Sequence, residues 1–242
     1  MKTKDPFAII GKPETMNTGE NMGNKINVLD INIDKCSAKE AMKKAMEYID
    51  SQAVSIIEMV TTDSVMQMDD VPGIKEEVKS FDLILPGEIS ILEAAGVTEK
   101  KYMQETEKNI FLKMFLRYIH KHHKRVYLLV EAEEEVQDFY EYVEKHYSGI
   151  EIAGMAKVSA ENRADDMIVN AINGGEVDCV LSILSSPLQE EFIIRNKTLL
   201  NLRVWVGLGK HILPVCKSRP GRFTQFIMKR ILKKEIEKRK RG

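Results

Sequence analysis

Groups able to do chemistry stand where apolar runs of this chain stop. Thr61 and Asp63 follow the run Val54-Ser55-Ile56-Ile57-Glu58-Met59-Val60, at a point where a helix begins. A hydroxyl and a carboxylate there either cap the helix or face a ligand. Pro86-Gly87-Glu88 closes the run Phe81-Asp82-Leu83-Ile84-Leu85. Its one carboxylate is either a surface acid or, if partly buried, an acid whose pKa rises into the range of a general base. Ser185-Ser186-Pro187-Leu188-Gln189-Glu190 is the most informative strand end. Pro187 can shape the entry into a helix, Gln189 falls in its first turn, and free backbone N–H groups beside that amide suit a uracil edge or phosphate oxygens.

Other chemistries lose ground. The chain has no G-x-G-x-x-G and no G-x-x-x-x-G-K-[ST], and Gly207-Leu208-Gly209 is too short for a dinucleotide fingerprint. His120, His122 and His123 lie among Lys121, Lys124 and Arg125 at a predicted helix end, which fits a helix-dipole role better than metal ligation. Glu131, Glu133, Glu134 and Glu135 open the next helix, where acids are favoured. Cys36, Cys179 and Cys216 are an odd number without C-x-x-C spacing, so neither a disulfide framework nor a zinc site is expected, and the compartment reads as reducing.

The elements that must place these groups alternate. Alternation at Ile26, Val28, Ile31 and Ile33 predicts a strand, and Ser37-Ala38-Lys39-Glu40 is a capping box opening a helix over 37–49. Further strands are predicted at 54–60, 81–85, 125–130, 151–155, 177–184 and 202–207. Helices are predicted to begin at 64 and to cover 108–122, 134–145, 165–173 and 188–196. The continuous apolar run Arg125-Val126-Tyr127-Leu128-Leu129-Val130 suits a strand buried on both faces. The expected fold is therefore α/β, a mostly parallel sheet covered by helices, with its ligand beyond the carboxyl ends of the strands.

The 242 residues divide unevenly in charge. A net of -1 conceals eleven basic and two acidic residues in the last 26, against a strongly acidic remainder. We expect a loose arm over 1–25, an α/β domain over 26–216 and a basic appendage over 217–242. In the appendage Phe223, Phe226, Ile227 and Ile231 recur at helical spacing among Arg222, Lys229, Arg230, Lys233 and Lys234. Such a helix docks its apolar stripe on the core, lies on an anionic membrane surface, or does both with different faces. An acidic core without interleaved aromatics argues against nucleic acid. No stretch approaches the ~18 apolar residues of a membrane span, and no export signal opens the chain.

With these segments in order, the chain resembles the WecG/TagA/CpsF family of bacterial glycosyltransferases from about Ile26 onward. The resemblance is carried by Asn27 to Asp34 with the helix after it, by Val60-Thr61-Thr62-Asp63, and by Asp82-Leu83-Ile84-Leu85-Pro86-Gly87-Glu88. Later segments that keep the family's spacing are Arg125 to Leu129, His146 to Gly154, Ile172-Asn173 with Val177-Asp178, and Ser186-Pro187-Leu188-Gln189-Glu190 with Asn196. It implies a Rossmann-like core that moves a sugar, often N-acetylmannosamine, from a UDP donor to an undecaprenyl-diphosphate-linked acceptor in cell-surface polysaccharide or teichoic acid synthesis. The implied location is cytoplasmic, on the inner membrane face, with a basic appendage completing the site. No cofactor or metal is implied beyond the UDP-sugar substrate, and a homo-oligomer is left open.

Carried over residue by residue, the resemblance makes Glu88 and Asp63 the candidate catalytic carboxylates and gives Thr61, Pro187, Gln189, Glu190, Gly207 and Gly209 to the nucleotide-sugar. Lys210, Arg219, Arg222, Lys229 and Arg230 fall to the diphosphate and the membrane. The chain departs from the family at Gly87, where an aspartate is expected and Glu88 is displaced by one, and at Asp63, which replaces an asparagine. It also departs at Val130, Ser185 and Ile212-Leu213. The competing expectation is a non-catalytic member that binds nucleotide or a glycan-assembly partner.

Overall fold

The structure, a computed structural model, describes residues 25–161 and 164–210, together with Leu232 and Glu237. Lys25–Val28 (β1) and Ile31–Asp34 (β2) form an antiparallel hairpin. Leu29 and Asp30 both take positive φ, 48° and 68°, the geometry of the tight turns whose twist matches a hairpin. The single opening strand expected from Ile26 to Ile33 is therefore two strands, and they form a sheet of their own. The alternation was real, but the turn lies inside it.

The main sheet is six parallel strands: β3 (Ser55–Val60), β4 (Leu83–Pro86), β5 (Arg125–Val130), β6 (Glu151–Lys157), β7 (Cys179–Ser182) and β8 (Val204–Gly207). Their order is β4-β3-β8-β7-β5-β6. The chain lays β3 and β4 in one direction, crosses over, and lays β5 and β6 in the other. β7 and β8 then fill the middle, so the ends of β3, β8, β7 and β5 converge.

The strands alternate their side chains between two apolar layers. Ile56, Ile84, Leu129, Val180 and Trp205 face one layer, with Phe192 and Ile193 of α9 (Leu188–Asn196), Val65 and Met68 of α2 (Thr62–Asp69), Ile168 of α8 (Asp165–Gly174) and Ile74 of α3 (Ile74–Val78). Ile57, Leu83, Leu128, Leu181 and Val206 face the other, with Ala41 of α1 (Ala38–Ile49), Phe115 of α6 (Ile110–Lys121) and Phe139 of α7 (Glu133–His146). Trp205 and Phe192 stack with centroids 5.6 Å apart. Leu232 is also fully buried in the first layer.

The Ser37 capping box forms with both of its hydrogen bonds. Between β4 and β5 the chain adds α4 (Ile89–Ala94) and α5 (Lys100–Glu107) ahead of α6. α5 buries no residue, so it carries no apolar stripe by which a sequence pattern could reveal it. Among the described residues no helix is long and apolar enough to cross a membrane.

Candidate functional site

The carboxyl ends of the strands bring the predicted groups into two adjoining clusters. At the ends of β3 and β4, Thr61 caps α2. Its hydroxyl accepts from the Ser64 N–H at 3.2 Å, and its own N–H donates to the Ser64 hydroxyl at 2.8 Å. Asp63, in the first turn of α2, accepts from the side-chain amide of Gln67 at 2.8 Å. Glu88 reaches back from the end of β4 so that its Oε1 accepts from the Thr62 N–H at 2.6 Å. The Thr62 hydroxyl donates to Ser90 Oγ at 2.9 Å. Thus the displaced glutamate satisfies one of the N–H groups that the first turn of α2 leaves open. Among the described residues no hydrogen bond engages its second oxygen, Oε2.

Beside Pro86 opens a largely apolar pocket, about 380 Å³ in empty space and partly open to solvent. Cys36, Met59, Leu85, Tyr102, Asn109 and Phe111 line much of it. Burial raises the Cys36 thiol to about 11, which keeps it protonated near neutrality.

The second cluster joins β5, β7, β8 and α9. Glu131, at the end of β5, accepts from both the N–H and the hydroxyl of Ser185 at 2.5 Å and pairs with Lys210 Nζ. Burial alone would raise its carboxyl, but the hydrogen bonds from Lys210 and Ser185 prevail and hold it below its ordinary value. The sequence pattern assigns Glu131 to a helix start. That role belongs to Glu135, whose Oε2 accepts from the N–H groups of Glu131 and Ala132.

Pro187 stands at the N-cap of α9 after a cis Ser186–Pro187 bond. The Gln189 N–H donates to the Ser185 carbonyl at 3.0 Å. Gln189 is 1% exposed: its Nε2 donates to Glu58 Oε1 at 2.5 Å, and its Oε1 accepts from the Gly209 N–H at 3.3 Å. Glu190, fully buried, accepts from the Ser186 hydroxyl at 2.5 Å. Burial lifts its pKa to about 7 against the lowering effect of that bond.

Gly207 has no room for a side chain, since a Cβ there would lie 2.0 Å from Glu58 Oε2. Gly209 instead supplies a φ of 64° at the turn before Lys210. Strand pairing sets Glu58 opposite Gly207, and Gly207 opposite Ser182, so the two clusters meet at the β3–β8 seam.

Sequence reasoning missed Glu58, Ser182 and the partnership of Glu131 with Ser185. For Glu58 the signal was present: one acid at an inward position of an otherwise apolar strand. Arg219, Arg222, Lys229, Arg230 and the amphipathic pattern around them lie outside the described residues, as does Cys216. His120 accepts from the Gly149 N–H at 2.8 Å. Among the described residues no group of three or more His, Cys, Asp or Glu could hold a metal ion.

Comparison with known proteins agrees with the layout. The model described as "Glycosyl transferase WecG/TagA/CpsF family" matches residues 26–216, from the opening hairpin past Lys210. No curated protein matches the chain.

Proposed function

Because the chain belongs to the WecG/TagA/CpsF glycosyltransferase family, we propose that it transfers an N-acetylmannosamine-like sugar from a UDP donor to an undecaprenyl-diphosphate-linked acceptor. The reaction serves cell-surface polysaccharide or teichoic acid synthesis at the inner face of the membrane. Family membership makes a sugar donor and a sugar acceptor the substrates; their finer identities are the proposal.

The observation that carries the reading is a carboxylate and an amine at the carboxyl ends of one parallel sheet, Glu88 after β4 and Lys210 after β8, with β3 between them. Glu88 is held through Oε1 by the Thr62 N–H, and Lys210 emerges from the turn after β8. In an inverting displacement the acceptor hydroxyl oxygen bonds to the sugar C1 as the bond from C1 to the UDP phosphate oxygen breaks. Glu88 Oε2 takes the hydroxyl proton, and the electron pair leaves on the diphosphate. One ammonium hydrogen of Lys210 is spent on Glu131, leaving two for phosphate oxygens. The amine is therefore oriented before substrate arrives. UDP-sugar is substrate, and the reading assigns no resident cofactor. The basic segment from Arg219 to Arg230 would reach anionic lipid and the diphosphate.

One observation favours a second reading, a member that binds nucleotide without turnover. Gly87 has no carboxylate to offer, and Glu88 already caps α2. Release of UDP from a UDP-sugar, measured with and without a lipid-diphosphate acceptor, separates the two. Glu88→Gln should keep fold and UDP binding while cutting transfer by about 10²–10⁴-fold. Transfer by Glu88→Gln at the wild-type rate would remove Glu88 from the mechanism. Activity appearing only in a Gly87→Asp/Glu88→Gly double variant would establish the binder.

A further inference from the structure

Beneath the strand ends lies a small polar chamber in an apolar layer. Glu58, Ser182 and Glu190 are each 0% exposed, and among the described residues Glu58 Oε2, Ser182 Oγ and Glu190 Oε2 have no hydrogen-bond partner. Register places Glu58 and Ser182 on the same face, on either side of Gly207, and the missing side chain of Gly207 makes the notch that admits the Glu58 carboxyl. We propose that Glu58 is a positioning residue for the strand-end site: seated over Gly207, it holds the Gln189 amide in the orientation that captures the Gly209 N–H, and so fixes the turn that carries Lys210.

Hydrogen-bond polarity supports the chain of contacts. The Gly209 N–H can only donate, so the Gln189 oxygen must face it and the Gln189 NH₂ must face Glu58. The reversed amide would set donor against donor at Gly209 and leave Gln189 Oε1 against Glu58 Oε1. The Gly209 N–H thus sets the amide's orientation, and Glu58 anchors the amide there by accepting from its NH₂.

The surroundings of Glu58 favour the neutral carboxyl. Burial first, and the neighbouring Glu190 second, push its carboxyl well above the ordinary range, while the Gln189 bond opposes them. β8 and β7 offer it only Gly207 and Ser182 at this level, neither titratable, and α9 offers Glu190. With Oε1 accepting, the proton belongs on Oε2, so glutamine is nearly isosteric and isoelectronic with the working residue. Methionine has the length without the acceptor.

The test is amide hydrogen exchange at Gly209, with Val206 in the β8 ladder reporting that the sheet is intact. Glu58→Gln should leave the Gly209 rate as in wild type, and Glu58→Met should raise it about tenfold, the size of one lost hydrogen bond, with Val206 unchanged. Gly207→Ala approaches from the other side, because its methyl displaces the carboxyl; it too should accelerate Gly209. A wild-type Gly209 rate in either Glu58→Met or Gly207→Ala overturns the proposal, as does a Glu58→Gln rate equal to that of Glu58→Met. The functional consequence rests on the nucleotide reading above. It is followed by the shift of thermal midpoint with UDP, expected in wild type and Glu58→Gln and reduced in Glu58→Met. Exchange needs no nucleotide, so a UDP shift missing from every protein counts against that reading and leaves the exchange result to decide this one.

Discussion

Glu190→Gln should remove a pH dependence of stability that the wild type shows across neutrality. In the folded chain burial raises the Glu190 carboxyl to about 7 despite its bond from Ser186, whereas an unfolded glutamate titrates near 4.3. A raised acid pKa means that the folded state holds the proton longer than the unfolded state does. Stability from this group is thus fully present below about pH 4 and is lost as pH rises toward 7. About two and a half pKa units at ~1.4 kcal/mol each give a full loss of about 3–4 kcal/mol, flat above pH 8, of which about 2–3 kcal/mol falls between pH 5 and pH 8. For a chain of this size, at about 2–4 °C per kcal/mol, the wild-type midpoint should fall by roughly 4–12 °C relative to Glu190→Gln between pH 5 and pH 8. The difference between the two proteins isolates Glu190, together with its coupling to Glu58, from carboxylates that titrate alike in both. Calorimetric or fluorescence-detected melts at pH 5, 6, 7 and 8 measure it, and a difference constant over that range would refute a buried, neutral Glu190.

Three further outcomes are expected. Phe192→Ala removes a fully buried ring stacked on Trp205 and should cost about 3–5 kcal/mol in urea unfolding; a cost under 1 kcal/mol would show that the layer repacks. Glu131→Gln should release Lys210 and Ser185 from their shared carboxylate and weaken UDP binding by less than tenfold if Lys210 can still reach phosphate, as read by calorimetric titration. Truncation before Lys217 should abolish salt-sensitive flotation with anionic liposomes, because basic residues near such a surface contribute about 1 kcal/mol each; equal flotation of both forms would count against the membrane role of the tail.

Much of the fold was legible because its signals are local. The apolar runs of β3, β5 and β7 have no polar face because helices cover both sides of the sheet, and the Ser37 box announces α1 by side-chain chemistry alone. The hairpin was read as one strand because a turn of Leu29 and Asp30 carries no glycine, and only its φ values reveal it. α3 has five residues and α5 buries none, so neither had a period to detect. At the site, proximity to strand ends was legible for Thr61, Glu88, Gln189 and Gly209. What each side chain touches was not, because Glu58 and Gln189 are 131 residues apart and only strand order makes them neighbours.

The opening hairpin does more than precede the sheet. β4 is an edge strand, and its outward Ile84 N–H donates to Asp34 at the end of β2 at 3.0 Å, while Lys44 and Lys25 keep that carboxylate charged company at 3.5 and 3.9 Å. At the opposite edge, β6 shifts register against β5 between Val126 and Tyr127. A sheet of parallel strands forms slowly and exposes adhesive rims while it does so. Here one rim is closed by a carboxylate supplied from the start of the chain, and the other is bent out of template by an extra residue. Both rims thus carry features that oppose edge-to-edge pairing of the sheet.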